Sequence, residues 1–149
     1  MKNYKILICL QLVLSIISGV LVSKMSFLGR LGINIVYKEY TLFKTWWKTA
    51  IVMAIIQVLL TLIQQYMGQK QPANKAKMFS AILLVVAIAG LYGTYNDFTT
   101  TFSHKILKEK FHLGFYLFWL TWIIGNLYFL FYRPKDELPP LQDLSSKQL

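Results

Sequence analysis

The chain has 149 residues, enough for one domain, of which 56% are hydrophobic and only 15% are charged. Soluble domains usually carry about 25% charged residues, so this composition argues against an ordinary water-soluble globule. The net charge of +10 would fit nucleic acid, but the Lys and Arg residues flank long apolar blocks, where phospholipid headgroups supply the anions. We therefore expect a phospholipid bilayer as the partner and no nucleic acid.

The first apolar block covers residues 4–22, directly after a basic N-terminus. A secretory signal has a shorter apolar region of about 7–15 residues followed by a small-residue cleavage site. This block is longer and the following residues offer no convincing site, so we expect a retained transmembrane helix. Ser15 and Gly19 within it are small enough to let another helix approach closely.

The connection after the first block is unusually apolar for a loop. Phe27, Leu28, Leu31 and Ile35 follow helical spacing, and a more extended segment comes after them. This pattern predicts an interfacial or re-entrant stretch. Its cationic residues are expected to bind lipid headgroups, and they are Arg30, Lys38 and Lys44.

The second block covers residues 47–66 and contains a polar stripe. Gln57, Thr61 and Gln64 follow i, i+4, i+7 spacing, so they share one helix face. Neutral polar groups in hydrocarbon need partners, and interhelical hydrogen bonds are the usual ones. A polar permeation path is the alternative interpretation of the same stripe.

A short basic link with Gly68 and Pro72 leads to the third block, residues 78–95. Because the link is short, we expect the second and third helices to be antiparallel neighbours. Gly90 and Gly93 in the third block are predicted helix-packing positions.

The third loop, residues 96–112, holds the best candidates for chemistry, although the case for them is weak. Asp97, His104, Glu109 and His112 could act as acid–base groups or metal ligands. If residues 104–112 are helical, however, the two His rings point about 80° apart. The pattern is more typical of a solvated helix that leads into the fourth span, so we predict no metal site.

The fourth block covers residues 113–132, with Gly125 as a packing position. Trp119 and Trp122 share a face inside this block, which indicates packing or, alternatively, a stacking surface for a flat ligand. Residues 133–149 are polar and rich in proline, which predicts a flexible tail. The transmembrane domain is therefore assigned to residues 1–132.

The central parts of the four blocks contain no Asp, Glu, Lys, Arg or His, and Cys9 is the single cysteine. Proton relays, voltage sensors and many ion-coupled transporters need such charged groups, and redox exchange by a dithiol needs a second cysteine. The sequence therefore indicates no resident cofactor and leans away from an enzyme.

These observations predict an all-α integral membrane protein with four transmembrane helices in a small bundle. We expect a small non-catalytic subunit of a membrane complex, held by other subunits or by self-association. An interfacial enzyme acting on lipid or quinone and a small channel or transporter are the alternatives. The Lys and Arg residues divide eight to eight between the two sides, so orientation depends on the short acid-free link between the second and third blocks. This basic link favours cytoplasmic termini. We expect the membrane to be a plasma membrane, most simply the bacterial inner membrane.

Overall fold

The structure, a computed structural model, describes residues 3–24, 44–100 and 109–131. The regular structure in these residues consists of four long helices, and each is long and apolar enough to cross a membrane. The predicted all-helical architecture with four candidate spans is confirmed. The helices are α1 (Asn3–Ser23), α2 (Trp46–Lys70), α3 (Ala73–Thr100) and α4 (Glu109–Phe131).

The helices extend beyond the apolar blocks that the sequence marks. α3 begins at Ala73 and ends at Thr100, five residues outside the predicted span at each end, and α4 begins at Glu109. Hydropathy detects only the apolar part of a helix, whereas the backbone hydrogen bonds continue into polar ends. Three segments lie outside the described residues: most of the first loop (25–43), part of the third loop (101–108) and the tail from 132 onward.

The link between α2 and α3 is short because proline stops one helix and starts the next. Gln71 is extended (φ −114°, ψ 153°), as the residue before a proline prefers to be. The carbonyl of Pro72 then accepts hydrogen bonds from the amides of Lys75 and Ala76, at 2.9 and 3.1 Å. Lys70, in the last turn of α2, stabilises the negative end of that helix.

The helices alternate in direction, and their packing does not follow the order of the chain. Gly19 near the end of α1 meets Trp46 and Ala50 at the start of α2, and Gly114 at the start of α4 meets the same end of α1. α1 packs most extensively on α2 and α4, while α3 packs chiefly on α4. The predicted neighbours α2 and α3 are antiparallel, but their mutual contact is small.

The distribution of side chains is the reverse of a soluble protein's. Among the described residues eleven polar side chains are buried, against seven hydrophobic ones. Large aliphatic and aromatic side chains cover the outside of all four helices instead. Soluble proteins bury their apolar residues, so this distribution is the one expected of helices that could cross a membrane.

Candidate functional site

Eight of the eleven buried polar side chains lie along the middle of α1, α2 and α4, and we call this set the polar seam. Each of its members is at most 4% exposed. α2 contributes the whole stripe that the sequence marks, facing inward. The seam consists of Gln11, Ser15 and Ser18 of α1, Gln57, Thr61 and Gln64 of α2, and Thr121 and Asn126 of α4.

At one level of the seam all three helices meet around Gln11. The hydroxyl of Thr61 donates to Gln11 Oε1 at 2.7 Å, which joins α2 to α1. On the other side Gln11 lies against Gly125, where an added Cβ would come within 2.8 Å of Gln11 Nε2. Gly125 thus makes room on α4 for a buried amide of α1, and no larger residue fits without displacing that amide.

The other two members of the stripe bind α4. Gln64 Nε2 donates to Asn126 Oδ1, and Gln57 Nε2 donates to the carbonyl oxygen of Phe118 at 3.0 Å. The second bond uses a backbone oxygen that keeps a lone pair beyond its helical hydrogen bond. Since the amides of Gln57 and Gln64 are engaged across helices, the stripe acts as a set of interhelical links.

Small residues bring the backbones of the seam close together. A Cβ at Gly19 would lie 2.7 Å from the backbone nitrogen of Ala50 and from the carbonyl oxygen of Trp46. At Gly114 it would lie 2.5 Å from Val22 Cγ2 and 2.9 Å from the carbonyl oxygen of Ser18. Close approach of this kind is how helices associate where apolar burial gives no driving force.

Part of the seam is not hydrogen-bonded. The hydroxyls of Ser15 and Ser18 and the Nδ2 of Asn126 are buried and have no partner among the described residues. The two serines lie on the face of α1 that carries Gly19. Their small volume, rather than their hydroxyl, is therefore what the α1 packing uses.

The contact between α3 and α4 is of another kind. The indole of Trp119 occupies the space beside Gly90, where an added Cβ would fall 2.3 Å from the ring, and its Nε1 donates to Thr94 Oγ1 at 2.9 Å. Trp122 stacks on Trp119, with the ring centroids 5.2 Å apart and the planes 11° apart. The face that the two indoles share therefore packs within the bundle.

Gly93 differs from the other glycines that the sequence marks for packing. It lies on the exposed side of α3, and nothing comes within 4 Å of the position its Cβ would take. Gly19, Gly90 and Gly125 all lie against another helix of the same chain. Any close contact at Gly93 would therefore have to come from outside the described part of the chain.

A cluster of aromatic rings lies where α3 ends and α4 begins. Phe98 packs among rings of α4, and His112 stacks on it with centroids 4.4 Å apart and planes 19° apart. Phe111 and Phe115 complete the cluster, at 5.7 and 5.9 Å from the Phe98 ring. The imidazole of His112 thus takes part in an aromatic packing cluster.

The candidates for chemistry in the third loop are not assembled into a recognisable centre by the described residues. Asp97 is exposed in the last turns of α3, and Glu109 is the exposed first residue of α4. His104 lies outside the described residues. Within residues 3–24, 44–100 and 109–131 no three His, Cys, Asp or Glu side chains form a group that could hold a metal ion.

Of the cations assigned to headgroups, the structure describes Lys44, half-buried just before α2. Arg30 and Lys38 lie outside the described residues. Nearby, Lys48 Nζ is 5.5 Å from the centroid of the Trp47 ring, and both residues are exposed in the first turn of α2. A basic and aromatic collar at a helix end is typical of a bilayer interface.

Comparisons with protein-family models, with curated proteins and with solved structures find no match for this chain. The functional argument therefore depends on the geometry of the chain itself.

Sequence reasoning missed two parts of this geometry. Gln11 and Asn126 are visible in the sequence as isolated polar residues, but their pairing with Thr61 and Gln64 depends on the order in which helices pack. Gly114, at the edge of an apolar block, was not singled out, although glycine in an apolar helix is a signal for close approach.

Proposed function

We propose that this chain is a multi-pass integral membrane protein that serves as a small non-catalytic subunit or scaffold of a membrane complex. The distribution of side chains supports the membrane location. Exposed Leu, Ile and Val residues cover the helices, while amides and hydroxyls lie inside. In hydrocarbon the helices satisfy the backbone hydrogen bonds internally, and the buried amides and hydroxyls can bond across helices.

The observation that carries the subunit role is the uneven coverage of α3. Only 11% of the apolar window of α3 is buried inside the chain, against 39% for α1. The side of α3 that the other described helices leave exposed presents Ala89 and Gly93, two small residues four positions apart. This spacing is the one by which membrane helices approach each other closely, so we assign this face to a helix of another subunit or of a second copy.

The hydrogen bonding of the polar seam supports the same role over the alternatives. Thr61 and Gln64 bind side chains of other helices, and Gln57 binds a backbone carbonyl. These links hold α1, α2 and α4 together as a rigid core, while α3 remains available at the edge. Side chains that bond across helices in this way favour a packing role over a permeation path.

The proposed setting is a plasma membrane, with both termini in the cytoplasm. α1 begins and α4 ends at the same end of the bundle, where Lys70 and Lys75 also lie. A basic link without acids is favoured on the cytoplasmic side. A phosphatase that is active only outside the cytoplasm should therefore be inactive when it is fused after Leu149. An active fusion would mean that the chain has the opposite orientation.

Two matched glycine variants test the subunit role. Gly93 and Gly68 both have open space at the Cβ position, so the branch point of a longer side chain meets no neighbour at either position. We expect wild type and Gly68→Leu, purified in mild detergent, to have the same stoichiometric complex mass by light scattering. Gly93→Leu should lose it. Equal masses for the three proteins, or a monomeric wild type, would contradict the proposal.

Alanine substitutions separate this role from the enzymatic alternative. Asp97→Ala, His104→Ala, Glu109→Ala and His112→Ala should each leave the complex and its cellular function intact. Loss of function with normal assembly would favour an interfacial enzyme. A solute flux into proteoliposomes that is lost in the Gln57→Leu variant would favour a channel.

A further inference from the structure

A patch of positive charge lies where α2 ends and α3 begins. Lys70 is exposed in the last turn of α2, Lys75 is exposed in the first turn of α3, and Lys77 follows it half-buried. The sequence contains no Asp or Glu anywhere from residue 45 to residue 96. We call these three lysines the link patch.

The backbone of the link holds the lysines of the two helices close together. The amide of Gln71 donates to the carbonyl oxygen of Met67 at 3.0 Å, and the amide of Lys75 donates to the carbonyl oxygen of Pro72 at 2.9 Å. Two Cα steps of about 3.8 Å and one turn separate Lys70 from Lys75, so their Cα atoms are at most about 15 Å apart. Like charges held at such a distance repel each other, and an anion between them relieves the repulsion.

The acidic residues of the described helices lie at the opposite end of the bundle. Asp97 is in the last turns of α3, and Glu109 begins α4, directly before Lys110. Residues 132–149, which follow α4, contain three acidic and three basic side chains and so carry no net side-chain charge. Within the described helices, therefore, no acidic side chain offsets the charge of the link patch.

Each exposed lysine of the link patch stands one turn beyond an exposed apolar side chain. Lys70 is four residues after Tyr66, which is 61% exposed, and Lys75 is three residues before Met78, which is 62% exposed. Residues three or four apart are neighbours on a helix surface. On both helices a ligand thus meets a cation at the helix end and apolar surface one turn further in.

A phospholipid with a net negative charge has its groups in the same order. Its phosphate oxygens accept charge-assisted hydrogen bonds from ammonium groups, and its acyl chains continue into hydrocarbon. A free phosphate ion would use only the charged part of this surface. An acidic protein segment would leave the apolar part uncovered unless it also supplied nonpolar residues.

We propose that the link patch binds an anionic phospholipid, with its phosphate at Lys70 and Lys75. The acyl chains lie beside Tyr66 and Met78. Lys77, whose aliphatic stem is partly covered, adds its charge from the side. This inference rests on the membrane location proposed above, but not on the partner face of α3.

Native mass spectrometry of the delipidated full chain in detergent micelles measures the preference. The probes are dioleoyl phosphatidylglycerol, which is anionic, and dioleoyl phosphatidylcholine, which is zwitterionic. The first phosphatidylglycerol should bind more tightly, and added salt should weaken it. A lysine near an anionic lipid surface contributes about 1 kcal/mol, so Lys70→Gln and Lys75→Gln should each weaken phosphatidylglycerol binding about fivefold. Equal affinity of the wild type for the two lipids would overturn the proposal.

Three lysines at the opposite end of the bundle provide a matched control. Lys24, Lys48 and Lys110 are exposed, and replacing all three with Gln removes the same charge as replacing the three lysines of the link patch. The link variant should lose the preference for phosphatidylglycerol, and the control variant should keep it.

Two other results would overturn the proposal. Equal losses in the two triple variants would mean that the net charge of the whole chain attracts the lipid. A wild type that binds a polyglutamate peptide without preferring either lipid would assign the link patch to an acidic protein segment. A chain that is soluble without detergent and binds neither lipid would instead refute the membrane location itself.

Discussion

The polar seam and the α3–α4 contact hold helices together by different means. In the seam, neutral side chains of α1, α2 and α4 hydrogen-bond across helices, as in the pair Thr61–Gln11. Between α3 and α4, rings pack against rings and against Gly90, and the indole of Trp119 donates a hydrogen bond to Thr94. Polar links are directional and fix α1, α2 and α4 in register. Ring packing attaches α3, the remaining helix, along a single side.

The difference explains why α3 is the helix we assign to outside contacts. A helix bound on one side by rings and small residues keeps the rest of its surface available. Substitutions that act on one region and spare the other can test this division, and their expected effects differ in size.

The largest effect is expected where backbones touch. Gly19→Val forces a side chain against backbone atoms of α2 that are 2.7 Å from the Cβ position. Overpacking of this kind costs about 1–3 kcal/mol or more, so the variant should unfold at distinctly lower denaturant in mixed micelles. Gly68→Val, with open space at its Cβ position, is the control. Similar losses in the two variants would mean that α1 and α2 are not in close contact.

The next effect concerns the amide pair of the seam. A double-mutant cycle with Gln64→Leu and Asn126→Leu should give a coupling of about 0.6–2 kcal/mol in the free energy of unfolding, as measured for hydrogen bonds between membrane helices. Gln65 provides the control, because its Oε1 is buried without a partner among the described residues. Gln65→Leu should show no coupling to Asn126→Leu. Coupling as large as that of Gln64 would place the stripe in the wrong register.

A smaller effect is expected at the α3–α4 contact. Thr94→Val removes the acceptor for the Trp119 indole while keeping the volume of the side chain. The expected loss is about 0.5–1.5 kcal/mol. In a Trp119→Phe background, which lacks the indole donor, Thr94→Val should no longer lower the stability. If Thr94→Val left the stability unchanged in both backgrounds, the hydrogen bond from Trp119 to Thr94 would not contribute to stability.

The smallest effect is expected at the unpaired serines. Ser15→Ala and Ser18→Ala each remove a buried hydroxyl without a partner among the described residues. Because an unsatisfied polar group is costly, stability should stay within about 0.5 kcal/mol or rise. A loss above about 1 kcal/mol in mixed-micelle unfolding would show that these hydroxyls have partners.

The sequence predicted the four candidate spans and the inward-facing stripe of α2, because apolar length and helical spacing are local properties. It could not predict that Gln11 and Asn126 complete the stripe, since that depends on which helices are neighbours. The short link suggested close packing of α2 and α3, but the main neighbours of α2 and α3 are α1 and α4. Connectivity limits how far apart helices can be, whereas side-chain fit decides which ones pack.

The same limit applies to the glycines. Gly90 and Gly93 look alike in the sequence, yet one receives the Trp119 ring and the other faces outward. Three residues turn a helix by about 300°, so the two point in different directions by about 60°. Which of the two lies against α4 depends on the rotation of α3 about its own axis, and only the packed structure fixes that rotation.

The central claim is that polar side chains lie inside a bundle whose outside faces hydrocarbon. Spin labels placed one at a time along α2 of a Cys9→Ala variant in liposomes test it most directly, through their accessibility to oxygen and to a water-soluble nickel complex. Labels at positions 55, 59 and 62 should be accessible to oxygen and not to nickel, while labels at 53, 57 and 61 should be accessible to neither. Nickel accessibility along the outer positions, or equal oxygen accessibility on both faces, would contradict the account.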